Sequence, residues 1–315
     1  MDSEQITSHL PPDQALPPVQ PPSSRHLVQM FVVPGLIVGG VVLLGLTCSG
    51  AFSYMLGLDT SKTPASFIKR LEDPNTDIRW RAASDLVQVL KRDDDLASDP
   101  DLALKLGELL TQELEGIAFD EKALAERRGS LSDKDQAQEA AKIKTRADYA
   151  RFLSSCLASL MLPVGVDPLK QMAATKGGDP KAVAQMRRHA VWMLANLGEN
   201  LRRFEGDPAK GYAGLPADKR AAIVARLEQE ANGSGPRRQL ASRTLEYLNR
   251  KQDLGVIGAL ADTAKADDPD LRKYTAFALT FWDGSAQENK LAEQVLLNLS
   301  RDDGRGVRII LEETD

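Results

Sequence analysis

The chain is short of several things, and each shortage excludes a class of protein. It has two cysteines in 315 residues, Cys48 and Cys156, far apart and differently placed, so neither a disulfide framework nor a cysteine metal site can be drawn. Histidine is scarcer than in most enzymes that use it: only His9, His26 and His189 occur. No H-E-x-x-H pair and no His-Glu dipeptide is present, which removes the usual helical zinc and iron ligand patterns. There is no G-x-x-x-x-G-K-[ST] phosphate loop and no G-x-S-x-G nucleophile elbow; Lys176-Gly177-Gly178 and Gly233-Ser234-Gly235 read as turns. Runs of basic residues are missing and the formal net charge is -5, so nucleic acid is excluded as a partner. Aromatics make up only 5%. Beyond residue 60, Ala, Leu, Glu, Lys and Arg outweigh the β-branched residues, which predicts an all-α body with almost no sheet.

What is present falls into three stretches. Residues 1–25 carry Pro11, Pro12, Pro17, Pro18, Pro21 and Pro22 among Gln and Ser, the composition of a disordered, solvated tail. Residues 26–58 contain no formally charged side chain apart from a protonated His26, and Met30 to Leu46 reads MFVVPGLIVGGVVLLGL. About 20 apolar residues cross roughly 30 Å of hydrocarbon, so a transmembrane helix is expected with its core at about 28–46. Pro34 near its start and Phe52 and Tyr54 at its far flank fit that reading. A cleaved signal peptide fits less well, because one Arg precedes a long apolar run and Ser49 to Ser53 offers no small-residue cleavage pattern. Lipid attachment at Cys48 lacks the expected preceding residues.

Gly35 and Gly39 form a G-x-x-x-G pair, a candidate transmembrane packing face through which two copies could dimerise. Arg25 on one side of the span against Lys62, Lys69 and Arg70 on the other favours a cytoplasmic body over an exported one.

From 59 to 315 one pattern recurs. Phe67, Ile68 and Leu71 precede Asp73-Pro74, after which Ile78-Arg79, Ala82, Ala83, Leu86 and Leu90 keep one apolar face. The order returns as Leu169 and Met172, Asp179-Pro180, then Met186-Arg187, Ala190, Leu194 and Leu197. A looser third unit runs from Ile223 through Pro236 to Leu248. A fourth has Val256, Ile257 and Leu260, Asp268-Pro269, then Leu271-Arg272, Ala276 and Leu279. A truncated last unit ends at Val307-Arg308-Ile309 and Leu311, with Arg272 and Arg308 36 residues apart. That is the period of paired-helix repeats. Between the first two clear units lies a charged helical insertion at about 113–146, and Ser132 or Asp133 is placed to cap a helix that runs on to Leu160 before Pro163.

At these residues the body resembles the HEAT-repeat family, whose helices form an α-solenoid. The whole chain is similar to a bacterial, membrane-anchored HEAT-repeat domain protein. The resemblance implies a scaffold or adaptor whose stacked hairpins present a protein-binding surface at a membrane. It also implies an alternative, because phycobilisome-lyase-like repeat enzymes that act on a bound chromophore share this pattern. Self-association of a structural membrane protein is the third reading. No catalytic, cofactor or metal residue is assigned: His189 has no acidic partner at helical spacing, Cys156 lies in an apolar helix, and Asp93-Asp94-Asp95 reads as solvated carboxylates. The expectation is therefore a non-enzymatic protein without cofactor.

Overall fold

The computed structural model describes residues 63–208, 211–250 and 255–301. The tail at 1–25, the expected span at 28–46 with Gly35 and Gly39, Cys48, and the last unit at Val307 to Leu311 lie outside the described residues. Among the described residues no helix is long and apolar enough to cross a membrane.

Twelve α-helices are described: α1 Pro64–Leu71, α2 Thr76–Leu90, α3 Asp94–Ala97, α4 Pro100–Arg127, α5 Asp133–Ala158, α6 Val166–Ala173, α7 Pro180–Glu205, α8 Ala217–Ala231, α9 Arg237–Arg250, α10 Val256–Thr263, α11 Pro269–Leu279 and α12 Ala286–Ser300. Among the described residues the only extended pairing is a single antiparallel bridge between Asp207 and Tyr212.

The helices begin where side chains can satisfy their free amides. Asp99, Asp179 and Asp268 accept from the second or third backbone N–H of α4, α7 and α11, and each is followed by a proline whose missing donor costs nothing there. Ser285 and Glu288 close a reciprocal capping box on α12. The first Asp-Pro turn works differently. Asp73 accepts from the Asn75 amide, and Asn75 rather than Asp73 caps α2, so Pro74 stands outside the helix. Ser132 caps α5. That helix ends at Ala158, well before Pro163: the Ser159 hydroxyl takes the Ser155 carbonyl, and Leu160 to Leu162 turn off the axis into the core.

Four antiparallel hairpins, α1–α2, α4–α5, α6–α7 and α10–α11, stack side by side. Their first helices pack in the order α1, α4, α6, α10, with α12 following, and their second helices in the order α2, α5, α7, α11. This is a two-layer helical repeat with the core between the layers, where Leu86, Leu106, Leu153, Leu194 and Leu260 are fully buried. Burying each such side chain is worth ~1.5–3 kcal/mol. Aromatic contacts stitch the second-helix layer: Trp80 on Phe152 at 4.3 Å and Trp192 stacked on Phe277 at 5.1 Å.

Two features differ from a plain series of repeats. The pair α8–α9, expected as a third unit in line, leaves the stack and lies against α4 and the 3-10 turn Pro163–Gly165, while α10–α11 packs directly on α6–α7. After α7 the chain reverses at Gly206, whose φ of 91° suits glycine, through the Asp207–Tyr212 bridge, and this carries α8 out of line. The charged residues from Glu113 to Arg146 are the outer halves of α4 and α5, continuous with their buried inner halves. Across that hairpin, Arg146 reaches both Glu113 and Asp120, and Lys142 reaches Asp120.

Candidate functional site

His9, His26 and Cys48 lie outside the described residues; the other titratable residues singled out in the sequence are each held by a neighbouring group. His189 on α7 sets Nε2 2.9 Å from the Ser154 hydroxyl and 3.1 Å from the Arg151 carbonyl on α5. Ser154 already donates its own proton to Arg151 at 2.7 Å, so its oxygen serves His189 as an acceptor and not as a nucleophile. Burial pushes the His189 pKa down to about 4, leaving a neutral ring that ties two helices together. Cys156 is fully buried, its thiol directed at the Ala83 carbonyl, and desolvation raises its pKa far from a reactive thiolate. The three aspartates are divided among separate tasks: Asp93 caps α3, Asp94 pairs with Arg203 and Asp95 with Lys219 at 2.5 Å. Gly177 and Gly178, with φ of 102° and 75°, form the turn between α6 and α7.

That turn closes one end of a groove of about 840 Å³. It exists because neighbouring tiers have unequal lengths. Helix α4 has 28 residues and α6 has 8, so at 1.5 Å per residue α4 runs ~42 Å and the helix packed against it only ~12 Å. The outer halves of α4 and α5 thus overhang, and the space beside them beyond α6 is unfilled. Ile117 and Leu124 of α4, Ile143 of α5, and Val183 and Met186 of α7 present an apolar lining there.

Glu121 of α4 sits in the same groove, with its carboxylate against Gly178, where a β-carbon would have to push it aside. Among the described residues it has no ion pair or hydrogen bond, and desolvation by burial raises its pKa. At the rim, Lys144 pairs with Asp148 at 2.8 Å, while Arg128 and Lys181 have no ion pair among the described residues. Among the described residues, the lining thus holds one carboxylate, Glu121, and two cations, Arg128 and Lys181, without an ion pair.

Sequence reading placed no residue here. The signal was in the segment ELEGIAFDEKALAERR: Ile117, Glu121, Leu124 and Arg128 recur at four- and three-residue steps, an apolar stripe with one acid inside it. The density of charge around it made the whole segment read as solvated.

No family model and no curated protein matches this chain. Among solved structures, it is similar to a designed armadillo repeat protein, YIII(Dq.V1)4CPAF, in complex with peptide (KR)4. The identity is 12%, covering 81% of this chain and 98% of that one, at a TM-score of 0.29. An engineered protein is 15% identical over 81% of this chain and 97% of that one, at a TM-score of 0.30. The designed armadillo repeat protein YIII(Dq)4CqI is 12% identical over 80% and 97%, at a TM-score of 0.27. Likeness at that level carries no weight for function.

Proposed function

We propose that this chain is a HEAT-like scaffold, held at a membrane by the apolar segment 28–46, that docks a protein partner in the groove beside α4, α5 and α7. The observation that supports it most is the groove itself: a mainly apolar cavity of about 840 Å³ left open by the short α6, on a stack of helices. Apolar surface left open among the described residues is a favoured site of association. The anchor contributes by confining that surface to the bilayer plane, with the body on the cytoplasmic side. No catalytic role is assigned to any residue.

The test uses the tagged full chain purified from its native membrane beside a Val183→Asp variant and a chain lacking residues 1–58. Val183 is half-buried, so an aspartate there charges the groove without opening the core. The expected result is a stoichiometric protein partner with the full chain, lost from Val183→Asp, and a truncated chain recovered in the soluble fraction. An unchanged partner set in Val183→Asp, or turnover of a bilin chromophore by the purified chain, overturns the reading.

A further inference from the structure

The groove is lined by the outer halves of α4 and α5 and the first turns of α7, and it opens where α6, packed on α4, stops at Ala173 while α4 runs on from Ile117 to Arg127. The vacancy beside those last α4 residues is ~17 Å long, three turns of helix. An extended strand would leave its backbone amides unpaired against Ile117, Leu124, Ile143 and Val183, whereas a helix satisfies its own. The charges narrow the occupant further. Among the described residues Glu121 has no cation partner, and its neighbours in the groove do not supply one: Lys144 is held by Asp148, and Arg151 also faces Asp148 at 3.6 Å. Asp179 is occupied in capping α7. Arg128 and Lys181 at the rim have no ion pair among the described residues.

We propose that the groove takes a short amphipathic helix of a partner protein, apolar on the docking face, which sets one lysine or arginine against Glu121 and acidic residues near Arg128 and Lys181. This rests on the protein-binding reading above and names the chemistry of the partner. A carboxylate left without a partner in an apolar groove disfavours any occupant that cannot neutralise it, so Glu121 selects against apolar or acidic helices as much as it attracts a basic one.

The experiment uses the full chain in detergent micelles and a stapled peptide of about 12 residues, since an unconstrained helix that short is marginal in water. Its docking face is Leu and Ala with one central Lys; matched peptides carry norleucine or Glu at that position. Binding is read by fluorescence anisotropy on wild type, Glu121→Gln and Glu121→Lys, with circular dichroism verifying that each variant keeps its helix content. The Lys peptide is expected to bind wild type and to lose about tenfold in affinity on Glu121→Gln. The Glu peptide is expected to bind Glu121→Lys in preference to wild type. Equal affinity of the Lys and norleucine peptides, indifference to Glu121→Gln, or no binding of the Lys peptide overturns the proposal. Displacement of the peptide by decylammonium at equal concentration assigns the site to small cationic amphiphiles and overturns it as well. In each of these cases a native partner lost from Val183→Asp would still stand, so failure here is separable from failure of the binding reading.

Discussion

The hydroxyl of Tyr149 donates to the backbone carbonyl of Leu71 at 2.9 Å, joining the second hairpin to the last residue of α1. The bond is buried, and the Arg79 guanidinium lies 4.8 Å over the same ring. Leu71 belongs to the last turn of α1, where carbonyls lack helical partners, so the phenol supplies what the short helix cannot. Related bonds recur up the stack: Asn200 to the Ala158 carbonyl at 2.8 Å and Trp282 to Leu194 at 3.1 Å. Tyr149→Phe is expected to lower stability by ~1–3 kcal/mol, the cost of orphaning a buried carbonyl, read as a drop in urea midpoint. Faster amide exchange confined to α1 and α2 would locate the effect. An unchanged midpoint would show that water reaches the Leu71 carbonyl.

His189 makes stability depend on acid. Its folded pKa is about 4, below the 6.5 of a free histidine, so the folded state binds the proton less well than the unfolded one. The stabilisation is complete above pH ~6.5 and is lost as pH falls toward 4, on the order of 3 kcal/mol in total. The groups facing the ring are the Ser154 and Ser155 hydroxyls and the Arg151 carbonyl, with the Arg151 cation adding to the depression. His189→Gln is expected to flatten the stability curve between those pH values. A wild-type curve with no slope there, once carboxylate contributions are matched in the variant, would contradict the buried neutral ring.

Much of the fold could be read before the structure. Asp179-Pro180 and Asp268-Pro269 announced α7 and α11 because a cap and a proline act locally, and the apolar spacing after each named the buried face. What local signals do not carry is which helix packs on which. The pair α8–α9 has the pattern of a repeat, with Ile223 and Leu227 buried, yet it leaves the stack because the chain turns at Gly206. The groove escaped notice for a related reason. Ile117 and Leu124 look like one more repeat face, and only the shortness of α6, two helices further along the chain, shows that the stack leaves a groove beside them.

Gly178 holds a left-handed conformation with φ of 75°, and a β-carbon there would run into the Glu121 carboxylate. Both effects oppose Gly178→Ala, which is expected to cost ~1–3 kcal/mol. They are separable. Combining it with Glu121→Ala removes the collision and leaves the backbone strain, so the double variant should be more stable than the sum of the two single changes implies. Gly129, without a neighbour within 4 Å of its would-be β-carbon, provides the comparison: Gly129→Ala is expected to be neutral or slightly stabilising. Strict additivity of Gly178→Ala and Glu121→Ala in thermal melts would mean that the two residues do not touch.

Glu121 itself is expected to lower the stability of the chain in the absence of a partner. Desolvation raises its folded pKa above 4.5, so the folded state favours the proton, and its contribution is fully favourable only below the unfolded value. As pH rises through the folded pKa, the carboxylate ionises in an apolar groove and that contribution is lost. Glu121→Gln keeps the shape and removes the charge. Its melting temperature should exceed that of wild type at pH 7, and the difference should vanish below pH ~4, where both side chains are neutral. Because the carboxylate retains some contact with water, the gain is a fraction of a full burial penalty. A residue kept at some expense to stability, on an open surface and without a partner among the described residues, is the signature of a site shaped for something else. The opposite result, a variant less stable than wild type at pH 7, would mean that Glu121 serves the fold and would remove the physical reason for expecting a cation in the groove.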